Sequence, residues 1–270
     1  MSEPLRQASS QSPGQPPSQA LLRVENLTVS FDGFKAVDGM NLTIQRNQVR
    51  VLIGPNGAGK STLLDAIIGH VRPSGGRVIL KGEDVTHLPE HKIVRKGICR
   101  KFQAPGVLEG LTVWENLAVA ARSSREWWSS LTHRTPADVR ELVEEVIEMI
   151  NLQDKRNSLA KVLAHGQKQW LEIGMVVASK ADLLLLDEPA AGMSHGEAAQ
   201  TADLIRRLSD WHSFLVIDHD MGFVAQLEAP ITVLHLGRLL MEGTLEEVRR
   251  DPQVAAVYLG REAEKPNAGH

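Results

Sequence analysis

The nine residues Gly54-Pro55-Asn56-Gly57-Ala58-Gly59-Lys60-Ser61-Thr62 carry the strongest chemical signal in this chain of 270 residues. They have the form G-x-x-x-x-G-K-[ST], and they lie between an apolar run, Val49 to Ile53, and the helical segment STLLDAIIGH. Glycines at this spacing let the backbone curl until successive N–H groups converge on one concavity, and the start of a helix adds positive potential there. Lys60 has the length to reach terminal phosphates, and the Ser61 hydroxyl is a hard oxygen ligand suited to Mg2+. The chemistry is capture of a nucleoside triphosphate with its magnesium ion.

A second group of residues supplies what hydrolysis needs. The run Leu183 to Leu186 ends in Asp187-Glu188-Pro189. An aspartate at the carboxyl end of a buried strand holds Mg2+ through water, and Glu188 beside it can orient and deprotonate an attacking water. Two adjacent carboxylates near a phosphate cradle repel each other unless a metal sits between them and the phosphates. A third polar cluster, Asp218-His219-Asp220, follows the apolar run SFLVI.

These groups need rigid elements beneath them. From Leu21 the chain reads as short β-type runs, LRVENLTVSF, MNLTIQ and VRVLI, with turn-forming Asp32, Gly33, Asp38, Gly39 and Asn47 between them. GRVILKG (76–82) and ICRKFQ, ending at Gln103, extend the β pattern. A helix is predicted from Thr135 to Ile150, with Thr135 as N-cap, Pro136 in the first helical position and apolar residues at spacings of three and four. Another is predicted over Gly166 to Ser179, where Trp170, Ile173, Gly174, Val177 and Ala178 line one side. The apolar runs before Asp187 and Asp218 read as strands of a largely parallel sheet, buried on both faces. Near the end, Thr244 and Glu247 have capping-box spacing, followed by VAAVYLG. The fold class is α/β.

Composition narrows the function. Thirty Lys+Arg against 33 Asp+Glu give a formal charge of -3, with no broad basic field for nucleic acid. No apolar run is long enough to span a bilayer. Residues 1–20 are rich in Ser, Pro and Gln and lack the bulky apolar groups that would repay ordering, so a disordered tail is predicted. Cys99 is the single cysteine, which excludes an internal disulfide, fits a reducing compartment and reads as a core residue. His87 and His91 stand four apart, but Pro89 between them breaks any shared helical face, so zinc is not predicted. A cytoplasmic location is expected.

Between the two halves of the site lies Leu163-Ala164-His165-Gly166-Gln167, which resembles the LSGGQ signature of ATP-binding cassette (ABC) proteins. The resemblance covers nearly everything from Leu22 to Gly260, with all motifs in family order. It implies a phosphate-loop ATPase of the ABC type, with a mixed and parallel sheet core, an antiparallel β subdomain and an inserted helical subdomain at about 104–180. A domain spanning 21–260 and a flexible tail at 261–270 follow from it. By similarity, Gln103 is the glutamine that senses Mg2+ and a membrane partner, His219 is the switch histidine at the γ-phosphate, and Phe31 is the aromatic residue that stacks on adenine. The resemblance further implies a head-to-tail dimer, in which Ala164, His165, Gly166 and Gln167 close over ATP held by the other cassette. The implied assembly is a heterodimer with a second ABC ATPase on two membrane permeases, served by a solute-binding protein at the inner membrane.

Two departures stand out. The signature serine is Ala164 here, which removes a hydroxyl contact worth roughly 1–3 kcal/mol from the partner's site. Where many cassettes place an aspartate after Walker B, this chain has Gly192-Met193-Ser194. The wider segment HGQKQWLEIGM is similar to urea-type importer subunits, so urea or short amides are the expected cargo. Branched-chain amino acids are the alternative, because VAAVYLG resembles the C-terminal element of those importer ATPases. A soluble non-transport cassette ATPase or a regulatory nucleotide-binding module is the rival from another class.

Overall fold

Alternating apolar residues decide the centre of the molecule. In a computed structural model describing residues 20–100, 106–123 and 136–259, β3 (Val49–Ile53), β7 (Leu183–Asp187) and β8 (Ser213–Ile217) lie side by side as parallel strands. Val51, Ile53, Leu184, Leu186, Phe214 and Val216 face one core, while Leu52, Leu183, Leu185, Leu215 and Ile217 face a second. Period-2 alternation therefore separates two apolar faces rather than an apolar and a wet one, as expected of a parallel sheet covered on both sides. Each fully buried Leu, Ile or Phe contributes about 1.5–3 kcal/mol relative to exposure.

This sheet has the order β10-β9-β3-β8-β7-β6, with β6 at Ile98–Arg100, β9 at Ile231–His235 and an antiparallel edge strand β10 at Arg238–Gly243. Because β3, β6, β7, β8 and β9 run in one direction, their carboxyl ends share one rim. That rim is where ligands of open α/β sheets bind.

A second, antiparallel sheet of order β2-β1-β4-β5 is built on the long hairpin β1 (Ala20–Phe31) and β2 (Phe34–Gln45), with β4 (Gly75–Leu80) and β5 (Glu83–Asp84). The hairpin turns at Asp32-Gly33 as expected, with φ of +48° and +88°. The second turn predicted at Asp38-Gly39 does not form. Leu27 pairs with Met40 and Val29 with Val37, so β2 carries an extra residue there and absorbs it as a bulge, with Gly39 at φ +66°. β1 also begins at Ala20, one residue inside the predicted tail.

The helices in chain order are α1 (Lys60–Ile67), α2 (Glu90–Arg95), α3 (Val113–Ser123), α4 (Ala137–Met149), α5 (His165–Ala178), α6 (His195–Leu208), α7 (Met221–Leu227), α8 (Leu245–Arg250) and α9 (Pro252–Leu259). Helix α1 packs in the core shared with the antiparallel sheet, whereas α3, α4 and α5 pack on one another within the other core. Helix α4 starts one residue later than predicted, with Pro136 as its N-cap and not its first helical residue. The predicted cap Thr135 lies outside the described residues, as do Gln103 and the end of ICRKFQ. The Thr244–Glu247 capping box forms, with each backbone N–H accepted by the other side chain. Among the described residues no helix is long and apolar enough to cross a membrane.

Candidate nucleotide-binding and hydrolysis site

The loop from Gly54 to Gly59 leaves β3 at the rim and delivers the chain into α1. Two of its glycines, Gly54 and Gly59, are required by neighbouring backbone. A Cβ on Gly54 would stand 2.2 Å from the Leu234 carbonyl oxygen, and one on Gly59 would stand 2.3 Å from that of Ala36. Gly59 also caps α1 at φ +100°, a conformation only glycine adopts without strain. Ala58 is buried, and its carbonyl accepts the Gly237 N–H at 2.9 Å, while the Gly237 carbonyl accepts the Asp38 N–H at 2.8 Å. The turn between β9 and β10 thus ties the loop to the antiparallel sheet. Asn56, Gly57 and Ser61 remain exposed.

Lys60 folds back over the loop, its ammonium donating to the carbonyls of Gly54 at 2.7 Å and Pro55 at 3.1 Å. A cation held by carbonyls above a helix N-terminus is the arrangement into which a phosphate oxygen fits. Ser61 and Thr62 open the first turn of α1.

Asp187 ends β7, and Glu188 follows in the left-handed region at φ +47°. That turn is fixed by the Glu188 N–H, which donates to the Ile217 carbonyl of β8 at 2.8 Å. It throws the carboxylate outward to meet His219, whose Nδ1 is 3.2 Å from Glu188 Oε1. Asp218, only 3% exposed, explains why His219 can stand there. Its Oδ1 accepts the N–H groups of His219 at 2.8 Å and Asp220 at 2.9 Å, freezing the turn after β8. Its Oδ2 is buried with no partner among the described residues, and burial pushes the carboxyl above its ordinary range.

Residue typing of motifs did not single out Arg100, at the end of β6. Its guanidinium, 12% exposed, forms an ion pair with Asp65 of α1 and another, at 3.1 Å, with Asp187 Oδ2. The available signal was a lone cation in an otherwise apolar strand.

The donor set here is hard oxygen: the Ser61 hydroxyl and the Asp187 carboxylate. Among the described residues no three His, Cys, Asp or Glu side chains converge into a protein-only metal cage. Hard oxygen donors suit a magnesium ion held largely by phosphate oxygens and waters. Cys99 plays no part; it is buried, and desolvation pushes its thiol up to about 11.

Phe31 sits at the end of β1 paired across the hairpin with Phe34, the two rings 47% and 68% exposed. It is therefore not a core residue. The signature segment forms the start of α5. Ala164 is the N-cap and its side chain has no oxygen, so the usual reciprocal cap is half made: Gln167 Oε1 accepts the Ala164 N–H at 3.1 Å, with no hydroxyl to accept the Gln167 N–H in return. His165 bonds through Nε2 to the Ala191 carbonyl at 3.0 Å, joining the signature to the loop after Glu188. Gly166 packs against Glu197, a first-turn residue of α6 that forms a complete capping box with Ser194.

A phosphate loop at the carboxyl rim of a parallel sheet, an antiparallel β subdomain and a helical layer opening at a signature turn define an ABC-type nucleoside triphosphatase. The chain belongs to the ABC transporter family, whose model matches residues 37–191, and to its branched-chain amino acid ATP-binding type. The model for the branched-chain amino acid ATP-binding cassette transporter matches residues 238–264. The chain is 38% identical to the high-affinity branched-chain amino acid transport ATP-binding protein BraF of Pseudomonas aeruginosa, over 90% of this chain and 99% of that one. It is 36% identical to LivG of Escherichia coli over the same shares. The structure resembles the ADP conformation of MJ1267, an ATP-binding cassette of an ABC transporter, with a TM-score of 0.78 at 31% identity, covering 89% of this chain and 99% of that one. The chain is thus an ATP-binding subunit with ATPase activity coupled to transport. BraF and LivG carry the names of the branched-chain alternative and do not support the urea reading.

Proposed function

We propose that this chain powers uptake of branched-chain amino acids, as one cassette of an importer whose permeases and solute-binding protein are separate chains. One observation carries the reading of the site: Glu188 and His219, brought within 3.2 Å by two neighbouring strands, stand on the same rim as the phosphate loop. The cargo reading is supported by the names of BraF and LivG and by the match at residues 238–264.

In this reading the loop amides of Gly54 to Thr62 and the Lys60 ammonium bind the β- and γ-phosphates, and Phe31 stacks on adenine. Magnesium, when bound, neutralises the developing phosphoryl charge; Ser61, Asp187 through water and Gln103 would hold it. Glu188 accepts the proton of the attacking water while His219 steadies Glu188 and meets the γ-phosphate. Ala164 to Gln167 serve in trans, completing the site of a second, related cassette. The helical subdomain at about 104–180, within a cassette spanning 21–260, transmits closure to two permeases at the cytoplasmic face of the inner membrane.

Uptake of labelled leucine and labelled urea by cells carrying the whole system tests this reading. Glu188→Gln is expected to abolish leucine uptake and leave urea uptake untouched. Loss of urea uptake with leucine uptake intact overturns the cargo and favours the amide alternative suggested by HGQKQWLEIGM. No change in either overturns the transport role.

A further inference from the structure

Arg100 joins three parts of the site through one side chain: β6, which it ends, the neighbouring strand β7 through Asp187, and helix α1 through Asp65. It stands at the end of β6, just ahead of the segment containing Gln103. Nη1 pairs with Asp65, four residues beyond Ser61 on α1, and Nη2 pairs with Asp187 Oδ2 at 3.1 Å. The side chain is 12% exposed, and those of its two partners are 27% and 20% exposed. Nε is buried without a partner among the described residues.

A plain structural ion pair is a poor account of this arrangement. A desolvated guanidinium with an unpaired N–H is costly, and apolar packing commonly stabilises such a position as well or better. What apolar packing cannot do is hold two carboxylates beside a triphosphate. Asp187 and Asp65 both face the guanidinium, and Glu188 lies one residue from Asp187. Without a cation among them, these groups repel one another and repel the incoming phosphates. The fork spans the two carboxylates, Nη1 on Asp65 and Nη2 on Asp187 Oδ2, which restrains Asp187 and would leave its Oδ1 to accept from a metal-bound water.

We propose that Arg100 is a positioning residue for Asp187: through the Asp65–Arg100–Asp187 bridge the phosphate-loop helix sets the carboxylate, and the guanidinium supplies the charge that lets triphosphate enter before its metal. The proposal rests on the reading of Asp187 as the metal-side carboxylate.

The test compares Arg100→Met, which removes the charge, with Arg100→Lys, which keeps the charge but loses the fork. On the full-length chain, the affinity for a fluorescent ATP analogue is measured in EDTA and in excess Mg2+. For Arg100→Met the ratio of metal-free to magnesium dissociation constants is expected to rise at least fivefold, because only the metal can then offset the carboxylates. For Arg100→Lys it is expected to stay within twofold of the native ratio. Hydrolysis by the assembled transporter is expected to fall at least tenfold in the Met variant and at least threefold in the Lys variant.

A fold-supporting role alone would lower thermal stability and leave the magnesium ratio unmoved in both variants, and that outcome overturns the proposal. So does native hydrolysis in Arg100→Lys, which stays decisive if Arg100→Met does not fold. Asp187→Asn separates the two levels. If it hydrolyses ATP like the native chain, the Asp187 assignment fails. If it is impaired while both Arg100 variants behave as native, only the role of Arg100 fails.

Discussion

The phosphate loop and the signature turn both end on a helix N-terminus, yet they are secured in opposite ways. The loop before α1 is clamped by backbone: Ala58 bonds to Gly237, Gly237 to Asp38, and the Gly54 and Gly59 positions press against the carbonyls of Leu234 and Ala36. The turn before α5 is exposed at Ala164 and His165 and held by two side-chain bonds, Gln167 to its own cap and His165 to Ala191. In the proposed reading, a ligand within the chain meets a preorganised cradle at the first, and a ligand presented by another subunit meets a lightly held edge at the second. Preorganisation costs nothing at the moment of binding, whereas a surface that must close and reopen needs interactions weak enough to release.

The strongest way to break the comparison is at the clamped side. Glu188→Gln is expected to lower hydrolysis at least a hundredfold while ATP affinity stays within a few-fold, because the amide cannot take the water's proton. Steady-state hydrolysis alongside nucleotide titration reads both quantities, and near-native turnover removes Glu188 as the base. Lys60→Ala should weaken ATP binding by about a hundredfold, as expected when one partner of a desolvated charge contact is truncated. Unchanged affinity in the same titration would break the cradle assignment.

At the lightly held side the expected effects are smaller. Ala164→Ser restores an oxygen that can accept the Gln167 N–H, completing the capping box and stabilising α5 by about 1 kcal/mol. Thermal unfolding checks the stability gain. Hydrolysis by the assembled complex should rise or hold steady, and a clear drop would show that alanine is preferred there.

The smallest effect belongs to Asp218, behind the turn that carries His219. Its folded-state pKa lies above the ordinary value, so its favourable contribution is present below that value and is lost as pH rises through the raised one. Asp218→Asn keeps the Oδ1 acceptor and removes the penalised charge. The melting temperature at pH 7 should rise by roughly 2 °C, and the gain should shrink as pH falls toward 4. A gain independent of pH would place the effect in packing instead.

Much of this was legible from local chemistry. Glycine, lysine and hydroxyl spacing at 54–62, the carboxylate pair after a run of leucines and the capping box at Thr244 each depend on residues close in the chain. Their elements appear where expected. What local chemistry missed was set by pairing partners. The turn expected at Asp38-Gly39 became a bulge because the pairing of β1 with β2 continues past it, and Pro136 slipped from first helical residue to cap. The cargo preference read from HGQKQWLEIGM, a segment of α5, is not supported by the relatives, whose names give branched-chain amino acids.

The order of residue types along the chain was enough, by itself, to declare a triphosphate site, two doubly buried strands and a cassette signature lacking its hydroxyl. Contacts between residues far apart in the chain had to come from the folded molecule. Glu188 meets His219 because β7 and β8 are parallel neighbours, and Arg100 bridges Asp65 and Asp187 because β6 borders β7 at the rim above α1. Side-chain type is a local property, but the distance between two charges depends on strand order, and strand order is chosen by the packing of both cores at once.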